Sequence, residues 1–480
     1  MTHATDTLRT PADSAAPAKD LGVIWLLLGA AFVVILNETI MGVAIPNLVD
    51  DLGITIAAAQ WLTTAFMLTM AVIIPITGVL LERFTTRQVF TAAMTSFSIG
   101  TLTAAVAPGF EVLLAGRIIQ ATGTAMMMPL LMTTIMTLVP ADSRGRFMGR
   151  ISIVMAAAPA LGPTISGIIL SIASWRAMFW LVLPIAVGML ILGNRKIQNI
   201  GENQSKPIDF LSVVLSAIGF GGSIFGLSLI GGKAGTEVQM WVALGAGILG
   251  VAAFIWRQLV LQRADKALLD LRVFKNRTFT IATILMVIMM AAMFGVIILL
   301  PIYTQNVLGL TPVETGLLLL PGGLLMGLIA PLIGRIYDKM GPRPLVIPGG
   351  IIVSAVLWSL TFISEHTAAP LIMAAHVMLS LGLAFMFTPL FTSALGSLKP
   401  SLYAHGSATV GTVQQVAGAA GTALFVTIMS VRSLELVTSG TAKVTADAAG
   451  IQTAFLIGAI ISLLAVVGTF FIRRAPEPTA

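Results

Sequence analysis

Long apolar runs alternate with short polar breaks along almost the whole chain. About fourteen runs of roughly 18–28 residues stand out, at 21–44, 57–81, 89–107, 112–138, 147–172, 175–193, 210–230, 238–256, 278–301, 313–334, 344–363, 369–397, 405–431 and 451–472. Each is long enough to cross a hydrocarbon core about 30 Å thick. Lipid offers the backbone no partners, so each run predicts a membrane-spanning helix. Thr311-Pro312-Val313-Glu314 reads as a capping box that opens one of them. No break exceeds about twenty residues, which leaves no room for a soluble catalytic or nucleotide-binding domain. A Gly-x-x-x-x-Gly-Lys-Ser/Thr phosphate loop is absent too, which argues against an ATP-driven pump.

Composition supports the membrane reading. Of 480 residues, 57% are hydrophobic and only 10% charged, against about 25% charged in soluble domains. Forty-six glycines suit close helix contact in lipid. With no cysteine and four scattered histidines, the chain offers no thiol, metal or nucleophile constellation, so an enzyme is not expected. The polar stretch 1–20 precedes a run too long for a cleavable signal, so that run is expected to remain as the first span.

Charge then orients the spans. With both termini in the cytoplasm, twenty-two of the 27 basic residues fall on the cytoplasmic side and four (Arg176, Lys233, Arg432 and Lys443) on the other. This is the positive-inside pattern, and it explains the net charge of +7 without nucleic acid. Arg117 remains, mid-helix.

The candidate chemistry lies where charge enters the apolar runs. Glu38 is the acid well inside a span, expected six to eight residues from its outer end and about 10 Å below that surface. Such a group costs roughly 2.5–3.5 kcal/mol to insert, which marks it as a proton or cation site. Arg117 needs a buried partner, with Glu38, backbone carbonyls and polar side chains as candidates. Gln120, Gln414 and Gln415 are amides at depth that either line a cavity or bond between helices. Of Met126, Met127 and Met128, which point in three directions, Met127 is the cavity candidate. His376 reads as a packing histidine. Gly162 and Pro163 interrupt the run 147–172, and Gly167 with Gly162 and Ser166 offers a flat packing face.

Two breaks repeat each other. Gly78, Glu82, Arg83 and Arg87 recur as Gly334, Asp338, Lys339 and Arg343, each 256 residues later, which predicts a pair of gating loops in two homologous halves.

These loops resemble the signature of the major facilitator superfamily. Leu114-Ala-Gly-Arg117-Ile-Ile-Gln120 is similar to its fourth-helix motif, and Ala158-Pro-Ala-Leu-Gly162-Pro163-Thr-Ile-Ser-Gly167 to its antiporter motif. Leu36-Asn37-Glu38-Thr39 and Gly406 to Gly418, with Gln414 and Gln415, resemble the fourteen-span drug–proton antiporter branch. In that first-helix motif an Asp commonly stands where Asn37 does, so which of Asn37 and Glu38 faces the cavity is open at this stage.

The resemblance implies an all-α major facilitator fold with two six-helix bundles and two extra central helices. Tail 1–20, N-terminal bundle 21–200, additional pair and basic linker 201–275, C-terminal bundle 276–472 and tail 473–480 are the expected divisions. It implies a cell-membrane exporter of hydrophobic or cationic drugs in exchange for protons, driven by the proton gradient without a cofactor. Lipid, protons and small substrates are its expected partners, nucleic acid is not, and a monomer is expected. A dedicated exporter of one metabolite is the alternative, and a non-transporting receptor a further one.

Overall fold

The computed structural model describes residues 18–199, 207–230 and 235–473. Residues 1–17, Lys206, Lys233, Arg474 and the side chains of Lys19 and Pro163 lie outside the described residues. The N-terminal half contributes α1 (Ala18–Leu52), α2 (Ile56–Arg83), α3 (Thr86–Ala105), α4 (Phe110–Leu138), α5 (Arg144–Ile172) and α6 (Arg176–Lys196). Next come α7 (Phe210–Ser216) and α8 (Gly222–Ser228), joined end to end by a π turn, and α9 (Glu237–Leu261). The remainder is α10 (Arg277–Asn306), α11 (Pro312–Met340), α12 (Arg343–Ser359), α13 (Ala369–Gly396), α14 (Tyr403–Thr438) and α15 (Lys443–Thr469).

Counting α7–α8 as one rod, fourteen rods replace the fourteen apolar runs, yet twelve of them are apolar and long enough to cross a bilayer. The two outside that set are α3 and α5. α3 is rich in threonine and serine, and α5 opens on Arg144, Arg146 and Arg150 before continuing mainly in small residues. α1 runs on to Leu52, which puts Glu38 fourteen residues from its end rather than six to eight. At 1.5 Å per residue that is about 21 Å along the helix, although the apolar window of α1 is Gly22–Met41.

Side-chain caps set several starts. Thr85 with Gln88 and Thr311 with Glu314 form reciprocal capping boxes, the second with proline at the first turn as the sequence predicts. Asn276 caps α10 and Asp209 caps α7 by accepting from backbone N–H groups.

Glycine then decides how close the rods come. A Cβ at Gly100 would stand 2.4 Å from Gln120 N, and one at Gly123 2.2 Å from the Ala93 carbonyl. Only hydrogen side chains permit this α3–α4 seam. The same device closes α7–α8 on α9, where Gly219 meets Gly250 and Gly222 meets Gly247.

α1–α6 pack among themselves, as do α10–α15, and the two sets meet along α5–α11 and α2–α14. The α7–α9 hairpin lies against α2 and α14, with Trp61 and Phe225 rings 5.5 Å apart. It is fastened at its basic end: Arg257 clasps Asp209 at 2.6 and 2.7 Å, and Gln258 Nε2 donates to Ser212.

Candidate functional site

Arg117 is 1% exposed, on α4, and its clamp is neutral. Its Nη1 donates to Asn37 Oδ1 at 3.1 Å and to Gln120 Oε1 at 2.6 Å, and Gln120 Nε2 passes the chain on to Thr101 Oγ1 at 2.7 Å. The guanidinium carbon stands 4.1 Å from the centre of the Phe66 ring. A buried cation is thus held by oriented amide dipoles and an aromatic face, not by a carboxylate. Sequence reasoning finds Asn37, Arg117 and Gln120 but misses Phe66 and Thr101, which carry no unusual signal in a helix of mixed apolar and hydroxyl residues.

Glu38 follows Asn37 on α1 and is turned about 100° from it. Asn37 and Ile40 are buried, whereas Glu38 keeps part of its surface open. Among the described residues no hydrogen bond or ion pair holds its carboxyl, though Arg117 lies within electrostatic reach.

The next residues of α1 meet α5. Thr39 Oγ1 lies 2.9 Å from the Leu36 carbonyl and 3.3 Å from that of Ala158, and a Cβ at Gly162 would strike it at 2.2 Å. Ser166 Oγ donates to the Ile40 carbonyl at 3.0 Å. The proposed antiporter face therefore grips α1 directly beside Glu38. Gly167 does not share in it: it is exposed and a Cβ there meets nothing within 4 Å.

The two repeated loops hold the halves together at the arginine-rich end. Asp338, on α11, accepts from the Gly145 and Arg146 N–H groups at 2.7 and 3.0 Å, and the Arg146 side chain is 3.6 Å away. Its carboxylate caps the N-terminus of α5, where helix dipoles favour negative charge. Gly334 permits the approach, since a Cβ there would be 2.2 Å from the Gly145 carbonyl. In the other half Glu82, on α2, lies 3.1 Å from Nε2 of His405 at the start of α14. Gly78 makes room for it. The second bases serve within their own halves: Arg87 donates to Asn194 at the end of α6, and Arg343 to the Ile472 carbonyl just past α15. Lys339 is exposed. His405 escaped the sequence reading, where it counts only as one of four scattered histidines.

Of the remaining candidates, Gln415 Nε2 approaches Met70 sulfur at 3.9 Å across α2–α14, and Gln414 Nε2 has no partner among the described residues. Met127 is wholly buried in the main apolar core. Gln120 is likewise fully buried, committed to Arg117. His376 lies against Gly322, and its Nδ1 has no partner among the described residues.

A profile of the Major Facilitator Superfamily matches residues 27–422. The chain is 40% identical over 463 residues to a lincomycin resistance protein, LmrB, of Listeria monocytogenes, covering 95% of this chain and 98% of that one. It is 30% identical over 398 residues to a multidrug resistance protein B homolog of Mycobacterium tuberculosis, covering 82% and 73% respectively. Among solved structures, the proton:xylose symporter XylE superposes with a TM-score of 0.67 at 14% identity, over 96% of this chain and 98% of that one. That likeness carries the fold alone.

Proposed function

The chain belongs to the Major Facilitator Superfamily, and from that premise we propose that this membrane transporter exports hydrophobic, often cationic compounds in exchange for protons. It is not an enzyme. The carrying observation is the division of labour on α1. Asn37 accepts from Arg117 Nη1, and the carboxyl of Glu38 is left uncommitted among the described residues, partly open, and beside the glycine face of α5. A carboxyl in that setting holds a proton or faces a cation, and the two occupants exclude each other. Relatives named for lincomycin and multidrug resistance support the choice of cargo.

In this reading all fourteen rods span a cell membrane as a monomer, α3 and α5 being shielded by their neighbours, and the chain belongs to the fourteen-span drug–proton antiporter branch. The arginine-rich end faces the cytoplasm with both termini. The α2–α3 and α11–α12 loops close that end while the substrate site opens to the other, and the proton gradient drives the cycle without a cofactor. The relative named for a single antibiotic supports the narrower reading of a dedicated exporter. Competition of many unrelated compounds for dye efflux separates the two.

The test is transport in proteoliposomes under an imposed pH gradient, comparing wild type with Glu38→Gln. Gradient-driven export should be lost in the variant while substrate exchange at equal pH persists. Unchanged gradient-driven export in Glu38→Gln would refute the coupling role.

A further inference from the structure

The two latches at the arginine-rich end are built alike but pinned by different bases. Arg146 is the third residue of α5 and His405 the third of α14. Each sits opposite the acid of a repeated loop, Asp338 at 3.6 Å and Glu82 at 3.1 Å. Arginine is always charged, whereas histidine changes charge within the physiological range. We infer that His405 and Glu82 form a proton-binding site whose occupation holds α2 against α14 and so keeps the cytoplasmic end closed.

The surroundings make the charge matter. His405 is 2% exposed and the Glu82 side chain 10%. With His405 protonated, the two groups form a buried, charge-assisted hydrogen bond. With the imidazole neutral, this contact keeps a hydrogen bond to the carboxylate but loses the attraction between opposite charges, which weakens the seam.

Other charged residues stand near the pair. Asp270, from the linker after α9, acts electrostatically on His405, but Arg272 spans it with bonds of 2.6–3.0 Å and also clasps Asp265. Lys275 and Lys399 line the same cavity of about 740 Å³ as Glu82. From α2 comes Arg83, next to Glu82, over the Phe84 ring. From α5, Arg144 lies 5.4 Å from the Tyr403 ring, two residues before His405. α4 contributes the neutral hydroxyl of Thr133, which donates to Ser407, and α10 and α13 contribute apolar contacts from Phe279 and Leu395 around Gly406. The α2–α14 latch is thus pinned by a histidine, a residue type able to change charge, and the α5–α11 latch by an arginine, which is always charged.

The consequence is feedback. An exchanger that admits protons would be held shut when the cytoplasm is already acid. This regulation rests on the exchanger reading, but its test does not. The chain has no cysteine, so a single Ser407→Cys, at a position 1% exposed in the closed seam, reports opening by its maleimide reaction rate in nanodiscs. Ser401→Cys, at an exposed position nearby, corrects for thiolate fraction and confirms that each variant is folded. The corrected rate should rise about fivefold from about pH 5.5 to pH 8 in the wild-type background. His405→Arg should hold it low and flat, and His405→Gln high and flat. Adding Glu38→Gln should leave the wild-type slope intact, which separates this site from the coupling site. A flat wild-type profile, or a slope surviving in His405→Arg, overturns the proposal.

Discussion

Arg117 Nη1 donates to Asn37 Oδ1 across 3.1 Å, one residue before the carboxyl at Glu38. The neutral neighbour carries the structural load, and the acid is left unclamped among the described residues. Stability and coupling should therefore separate at adjacent positions. Asn37→Leu removes an acceptor from a buried cation and should cost about 1.5–3 kcal/mol, read as a fall in the temperature of half-inactivation in detergent. Glu38→Gln should stay within about 0.5 kcal/mol of wild type while losing gradient-driven transport. Equal destabilisation by both would mean that Glu38 is part of the clamp.

The antiporter-like face makes an opposite pair of expectations for two glycines. Gly162→Ala would drive a methyl to 2.2 Å from Thr39 Oγ1. α1 must then leave α5, at a cost of about 1–3 kcal/mol, and exchange should fall. Gly167→Ala meets nothing within 4 Å and should keep stability and exchange. Transport assays and melting curves of the two variants side by side decide it; impairment by Gly167→Ala equal to that by Gly162→Ala would contradict the geometry.

What was readable in the sequence divides along a physical line. Helix existence was readable, because apolar length and the lack of backbone partners in lipid are one-dimensional facts. The need of Arg117 for a partner was readable for the same reason. The partner's identity was not: Asn37 and Glu38 are adjacent within one motif, and the mostly apolar α1 hides which face meets α4. Met127 shows the same gap, being fully buried while its neighbour Met128 is only half-buried. His405 was invisible because its partner Glu82, though legible in the repeated loop, is distant in sequence and a single histidine at the start of a run marks nothing by itself. The hydropathy of α3 and α5 falls short for a related reason, since their threonine, arginine and small residues answer to neighbouring helices as well as to lipid.

The loop repeat yields a third expectation, because its residues are not used alike. Asp338 takes two backbone N–H groups of α5, whereas Lys339 points to solvent. Asp338→Ala should weaken the closed α5–α11 seam by about 1–3 kcal/mol, exposing a reporter cysteine at Ser152, which is 7% exposed in the closed form. Lys339→Ala should leave that reporter as protected as in the parent. Equal labelling in all three proteins would show that the acid does not hold the seam.

The last expectation concerns acid resistance of the α7–α9 hairpin. Arg257 donates two hydrogen bonds to Asp209 and holds its carboxyl well below the ordinary value of 3.8, with partial burial opposing and Ser212 assisting. A carboxyl whose folded value lies below its unfolded one lends stability in full above 3.8, and loses it only as pH falls from there toward the folded value. Between about pH 5 and 8 the fastening should therefore be constant. Asp209→Asn removes the charge and should loosen the hairpin by a similar amount at pH 6 and pH 8, measured as faster protease cleavage in the linker before Phe210. In wild type the same cleavage should accelerate only below about pH 3.8, assayed with an acid-active protease. Cleavage of wild type that already climbs between pH 6 and 5 would show that another group, and not the Asp209–Arg257 pair, fastens the hairpin.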